Sequence, residues 1–371
     1  MTGPLTGLRV LELAGIGPAP FAAMTLADMG ADVVRVDRPG ARPPIPIGST
    51  ADVFGRGKCS VLLDLKTTAD HEMVMDLVAQ ADVLIEGYRP GVAERLRIGP
   101  AECWRRNTRL VYGRMTGWGQ DGPLAQVAGH DIDYIAITGA LHAIGTADGP
   151  PQIPLNLVGD FGGGGMYLAL GILAAVLEAR STGTGQVVDA AIVDGTTHLL
   201  TGIFGLLAGG AWADHRGVNR LDGGAPFYAV YRTRDDRHMA VGALEAQFYA
   251  EFVRLLGIDA DPAAQHDRSG WADLRTRIAD AFAARDQAEW VAVFAGTDAC
   301  VAPVLSLTEA AAHPQIAARR TLIEVDGVRQ PAPAPRFSGH PQTMPRPATP
   351  PGGGLETVLR DWLGRSGPSV G

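Results

Sequence analysis

The stretch Leu8–Asp37, "LRVLELAGIGPAPFAAMTLADMGADVVRVD", sets a β-rich apolar run, a turn with two glycines, an alanine-rich helical segment closed by Gly30 and a second β-rich run in succession. Two strands joined through a helix pair in parallel, and the crossover is right-handed. The pattern continues downstream. "SVLLDL" (60–65), "DVLIEGY" (82–88) and "LVYGRM" (110–115) read as further buried strands, and "TTADHEMVMDLVAQA" (67–81) as a helix whose threonines suit N-capping. Strand and helix in alternation predict an α/β fold with a doubly wound parallel sheet.

Two longer helices follow in the pattern. One is expected over His130–Ile144, with Ile132, Ile135, Ala136, Leu141 and Ile144 on its buried face; the other runs from the glycines at 162–165 to about Arg180. A strand "QVVDAAIV" and an apolar helix through "GTTHLLTGIFGLLAGG" come next. From Phe227 the character changes, because "FYAVYRTRDDRHMAVGAL" reads as two strands around a polar turn, with helical segments to about Ala318. This is a second, smaller α+β domain. Eight prolines between Pro331 and Pro351 demand an extended path before a last helix, "LETVLRDWLGR". The expected division is 1–190 for the large domain, 191–225 for a linker helix region, 226–325 for the small domain and 326–371 for a return to the first.

Composition limits the function. A net charge of −8 over 371 residues argues against nucleic acid as a general partner. Three widely spaced cysteines, Cys59, Cys103 and Cys300, offer neither a disulfide framework nor a CxxC pair. The N-terminus carries no signal-peptide pattern, and no uninterrupted apolar span reaches about 20 residues. A cytoplasmic protein with no membrane span is the expectation.

Three constellations bear on chemistry. "GIGPAP" after the first strand has proline where a dinucleotide fingerprint needs glycine, and no GxxxxGK[ST] occurs, which sets aside NAD and ATP. Between Arg35 and Lys66 six basic residues (Arg35, Arg38, Arg42, Arg56, Lys58, Lys66) face three acids, and Arg89 and Arg95 follow the fourth strand. They read either as a solvated basic face or as Arg forks for a phosphate-rich small molecule at the strand ends. His130 stands at a helix start, where the dipole favours a neutral ring able to accept a proton, although a lone histidine is commonly structural. Asp160 precedes Gly162–Gly165. Four glycines forfeit roughly 3–4 kcal/mol of helix propensity. Capping accounts for the acid alone; bare backbone with free N–H groups on Asp160, Gly162 and Gly163, aimed at a developing oxyanion, would account for the glycines too.

The segments "GLRVLELAGIGPAPFAAMTLADMGADVVRVDRPG", "ADVLIEGYRPGVAERL", "MTGWGQDGPLAQVAGHDIDYIA", "LNLVGDFGGGG" and "GTGQVVDAAIVDG" closely resemble the α-methylacyl-CoA racemases of the family III CoA-transferase superfamily. The resemblance runs on through "LDGGAPFYAVY" and "AVGALEAQFY". It implies a Rossmann-like sheet in a discontinuous large domain, a smaller α+β domain and an interlocked homodimer with active sites between subunits. Carried over by position, the catalytic base and acid are His130 and Asp160, with Glu245 as partner of the histidine and Tyr228 nearby. CoA contacts fall on Arg38, on Leu63, Asp64, Leu65 and Lys66, on Gly87, Tyr88 and Arg89, on Arg95, and on Gly129, His130, Asp131, Ile132, Asp133 and Tyr134. Asp133 departs from the pattern, where asparagine is expected, and adds negative charge beside His130.

The implied reaction interconverts (R)- and (S)-2-methylacyl-CoA thioesters of branched-chain lipid metabolism through an enolate. It needs neither metal nor separate cofactor, because CoA is part of the substrate. Each turnover exchanges neutral His and protonated Asp for imidazolium and carboxylate, a change favoured by roughly 3.5 kcal/mol at reference pKa values. Burial of the pair must narrow that gap. The alternative within the superfamily is a CoA transferase that uses Asp160 as nucleophile. An apolar acyl surface including Met115, Met166 and Leu168 is a further expectation.

Overall fold

Valine, isoleucine and leucine dominate the strands and alanine the first helix, and the chain folds as that distribution requires. The computed structural model describes residues 3–40 and 51–365. In chain order β1 (Arg9–Leu13), α1 (Pro18–Asp28), β2 (Asp32–Asp37), β3 (Lys58–Leu62), α2 (Thr68–Gln80), β4 (Val83–Glu86), the short α3 (Val92–Arg95) and α4 (Pro100–Arg106), β5 (Val111–Thr116) and β6 (Val187–Ala191) build one sheet and its covering. All its strand pairs are parallel, in the order β3-β2-β1-β4-β5-β6. The direction of winding reverses between β1 and β4, which makes that gap the ligand-binding position of a doubly wound sheet. Side chains alternate across it. Val10, Ile85 and Val111 meet Leu26 of α1 on one face, while Leu11, Leu84 and Tyr112 meet Leu77 of α2 and Trp362 of the C-terminal helix Leu355–Leu363 on the other.

The helix expected over 130–144 is two helices, α5 (Asp131–Ile137) and α6 (Ala140–Ala143), because Gly139 turns the backbone left-handed at φ +86°. Of its five supposed core residues only Ile135 is fully buried, and Ile132 and Ala136 are exposed.

The glycine run also differs from expectation. Leu157–Gly165 is a π-helix that continues into α7 (Met166–Thr182), so Gly162–Gly165 lie inside a helical run and do not begin one. Their N–H groups are not free at a helix start: the i→i−5 pattern, Phe161 N–H to Asn156 and Met166 N–H to Phe161, spans the segment. Close packing accounts for the missing side chains. A Cβ on Gly163 would lie 2.7 Å from the Thr196 backbone N, and one on Gly195 would lie 1.9 Å from the Gly163 carbonyl oxygen. Backbone touches backbone there, where α8 (Ile192–Leu199) crosses the π-helix.

The chain divides into two compact units, Met1–Thr138 with Leu155–Leu199 and Ala317–Gly371, and Gly139–Pro154 with Leu200–Ile316. The second therefore starts at 200 rather than 226, ends at 316 rather than 325 and includes 139–154. Region 191–225 is no separate linker, since α8 belongs to the first unit and α9 (Thr201–Ala208) to the second. Within the second unit the antiparallel sheet β7 (Tyr228–Arg232), β8 (His238–Gly242) and β9 (Val301–Pro303) covers an aromatic core that includes Phe227, Phe252, Phe282 and Trp290. An unanticipated hairpin, β10 (Leu322–Val325) and β11 (Val328–Pro331), precedes the proline-rich segment.

Three of the basic residues read as ligand forks are spent on structure. Lys58 Nζ lies 2.6 Å from Glu12, Arg56 makes a two-pronged bond to Asp28, and Arg35 pairs with Asp37 and Asp52. Arg56 also donates to Gln330 and to the Pro331 carbonyl, which fastens β11 to the sheet domain. Buried cations need such partners, and Glu12 and Asp28 lie too far away in sequence to be recognised as theirs. Arg42 lies outside the described residues.

If backbone contact explains the glycines, Gly163→Ala destabilises the fold by about 1–3 kcal/mol, as overpacking does. Gly270→Ala, with nothing within 4 Å of its Cβ, stays near wild type. Urea unfolding distinguishes them, and equal midpoints contradict the packing account.

Candidate active site

Turns after β1 and β4 flank the switch point. Gly15–Pro20 and Gly87–Pro90 line a cleft of about 750 Å3, together with Met115 to Trp118 at and just beyond the end of β5. His130 and Asp160 both line it. Gly87, Tyr88, Arg89, Met115, Gly129 and Tyr134 line it as well, so eight of the residues singled out in sequence meet in one hollow.

Local packing fixes the backbone before His130, although the His130 side chain itself is exposed and does not share the burial expected of the pair. The Tyr134 hydroxyl donates to the Gly129 carbonyl, and its ring meets Trp118 edge-on at 4.7 Å. A Cβ on Gly117 would lie 2.1 Å from that ring, so glycine is required for the aromatic pair to close over the segment before His130. Asp133 accepts the His130 backbone N–H at 2.9 Å. This explains the acid at 133, since its carboxylate makes the same helix-start bond an asparagine oxygen would make.

Asp160 is half-buried on the π-helix. Burial pushes its carboxyl up from the ordinary value; the Asn156 amide, donating at 3.2 Å, and the nearby His130 pull it down, while Asp131 pushes it further up. Asn156 lies one helical turn before Asp160, a spacing legible in sequence but unread. In sequence Gly17 stands only within the broken nucleotide fingerprint. Its φ of +67° and the 3.2 Å between a built Cβ and Asp160 Oδ2 show that it makes room for the acid.

Below the β4 turn, Glu86 is buried and accepts the Tyr88 N–H at 2.6 Å; burial lifts its carboxyl to about 7. Arg114 binds Glu94 and Gln120 beside it. Neither was anticipated, because a lone strand-end glutamate carries no motif.

Other expected residues lie apart from the cleft lining. Arg38, Lys66 and Arg95 are exposed just beyond β2, β3 and in α3, and the Arg38 charge acts on Tyr88. Leu63 is core, Leu65 packs against that core, and Asp64 receives the Lys66 N–H. Asp131 is buried behind the cleft, while Ile132 and Asp133 are exposed outside its lining. Gly162 and Gly163 do not line it either, and the Asp160 N–H is committed to Asp131, so the oxyanion role expected of these three does not hold. Of the supposed acyl surface Met115 lines the cleft, Leu168 is core and Met166 is exposed outside it; Phe54, Phe161 and Ile16 supply apolar wall instead. Tyr228 and Glu245 belong to the second unit, Tyr228 against its core and Glu245 before its helix Ala246–Leu256. Among the described residues no cluster of His, Cys, Asp or Glu is arranged to hold a metal ion.

The chain is 45% identical to the mouse protein "Alpha-methylacyl-CoA racemase" over 333 residues, covering 89% of this chain and 85% of that one; the human protein of the same name matches at 45%, with 89% and 86% covered. The Acetobacter aceti "Acetyl-CoA:oxalate CoA-transferase" is 32% identical, with 94% and 92% covered. In three dimensions a crystal structure of a CAIB/BAIF family protein from Brucella suis superposes with a TM-score of 0.81 at 26% identity, covering 98% of this chain and all of that one. The sequence profile of CoA-transferase family III matches residues 5–355, and the chain belongs to that family.

Proposed function

We propose that the protein is an isomerase of the α-methylacyl-CoA racemase type, which inverts C2 of 2-methylacyl-CoA thioesters. The observation that carries this is the placing of His130 and Asp160 on one cleft at the sheet's switch point. Neutral His130 takes the α-proton from one enantiomer, the C–H electron pair enters the thioester as an enolate, and the Asp160 carboxyl delivers a proton to the opposite face. The other enantiomer runs the same steps with Asp160 as base and imidazolium as acid. Burial of Asp160 helps by narrowing the pKa gap that opposes one direction. Exposed Arg38, Lys66, Arg89 and Arg95 hold the CoA phosphates, and the acyl chain lies along Phe54, Phe161 and Met115.

Relatives at 45% identity bearing the racemase name support this over CoA transfer, as does a histidine that anhydride chemistry does not need. The free cysteines accord with a cytoplasmic location.

The active protein is a homodimer in which the second unit supplies Glu245 and Tyr228 across the subunit boundary, Glu245 fixing the imidazole tautomer. Apolar surface supports the dimer. In the single chain α9 buries none of its residues, with Phe204 51% and Leu207 41% exposed. Leu157–Thr182 is long and apolar enough to cross a bilayer, yet Leu168 and Ile172 are core, and its exposed Leu170 and Leu177 suit a second chain.

Incubation of one 2-methylacyl-CoA enantiomer in deuterated water gives label uptake with inversion. His130→Ala or Asp160→Ala lowers it by about 100-fold or more. Full racemisation by either variant contradicts the pair, and CoA exchange dependent on added free acid, without label, points to a transferase. Sedimentation equilibrium returns twice the chain mass; a monomer of full activity contradicts the shared site.

A further inference from the structure

A second carboxylate stands directly behind the acid–base pair. Asp131, the first residue of α5, is 8% exposed, and its Oδ1 accepts the backbone N–H of Asp160 at 2.6 Å. The Gly159 N–H is directed to it as well, and a Cβ on Gly159 would come within 2.3 Å of Oδ1. Its other oxygen, Oδ2, is buried without a partner. An asparagine or serine would serve a merely structural anchor. A buried carboxylate with one unmatched oxygen is a costly choice, worth keeping only if its charge matters.

We propose that Asp131 is a positioning residue for the acid–base pair: its carboxylate anchors the backbone of Asp160 and supplies the charge against which Asp160 ionises. Two carboxylates in a poorly solvated site resist both being ionised, so Asp160 holds its proton more firmly than it would alone. The titratable groups that bear on Asp160 are few. His130 acts across the cleft, Asp131 acts from behind, and Tyr134 senses the same charge from α5. On its own helix the neighbour is neutral Asn156, the turn at Gly17 brings no charge, and the crossing helix α8 carries Asp194 and His198, the latter bonded to Tyr167. Asp131 itself is pushed up by burial and held down by the two backbone N–H groups, which favour its ionised form.

The inference rests on the racemase reading, because it matters only if Asp160 must serve both as acid and as carboxylate. Asp131→Asn removes the charge and keeps an oxygen for the Asp160 N–H. With less negative charge behind it Asp160 becomes the stronger acid, so the acid limb of the pH–rate profile for α-deuterium exchange moves to lower pH by about one unit, a tenfold change in proton affinity. KM stays near wild type. Asp131→Ala, which removes anchor and charge together, loses about tenfold or more in kcat as well. Asp131→Ser is measured in parallel in case the asparagine variant does not fold, since it also removes the charge and leaves room for water. An acid limb that stays in place or moves up in whichever of these variants melts like wild type overturns the inference. Absence of exchange by the wild-type enzyme overturns the racemase reading instead.

Discussion

The hydrogen bond from the Asp160 N–H to the Asp131 carboxylate joins two ends of an excursion. The chain leaves the sheet domain after Thr138, contributes residues 139–154 to the second unit and returns at Leu155. Without a tie at that return, an acid on the π-helix and a base at the start of α5 would each be held only by their own segment. With it, a displacement of one backbone is felt by the other. Geometric coupling of this kind is what proton transfer on two faces of one carbon demands, since small misplacements at a reacting centre are expensive.

The sheet supplies the place and its rear supplies rigidity. The reversal between β1 and β4 opens the cleft, and Glu86, buried at the end of β4, fixes the turn that brings Tyr88 and Arg89 to its rim. Ion pairs tie the neighbouring elements together: Lys58 joins β3 to Glu12 of β1, Arg56 joins the entry to β3 to Asp28 of α1, and Arg35 joins β2 to Asp52 in the approach to β3. Breaking such a pair singly leaves an uncompensated buried charge, so loss of one partner costs more than the pair itself contributes. The exposed cations left over, Arg38, Lys66, Arg89 and Arg95, all follow strand ends on the ligand side. The cations clustered between Arg35 and Arg95 are thus sorted by burial into framework pairs and exposed residues beyond the strand ends.

How much of this is legible in the sequence depends on the range of the interaction. The strands of Leu8–Asp37 and the helix at 68–80 follow local patterns, and structure and sequence agree within two or three residues. The switch point follows from the order of strands. His130 and Asp160 are legible because their motifs are long and shared with a known family. The glycine run is a different case: the sequence signals a need for bare backbone, but the partner that requires it, Thr196 with Gly195, lies some thirty residues away on another helix. The same blindness to distance made Lys58 and Arg56 look like ligand residues. The break at Gly139 is not legible, because an apolar pattern at helical spacing says nothing of a left-handed turn within it.

The account stands on a carbon held between two proton carriers, and a crystal structure with a bound, slowly turned over 2-methylacyl-CoA tests it most directly. It predicts C2 between the two groups, with a nitrogen of His130 and a carboxylate oxygen of Asp160 on opposite faces, each about 3–3.5 Å away. A thioester seated with both groups on one face, or with C2 out of reach of either, contradicts it.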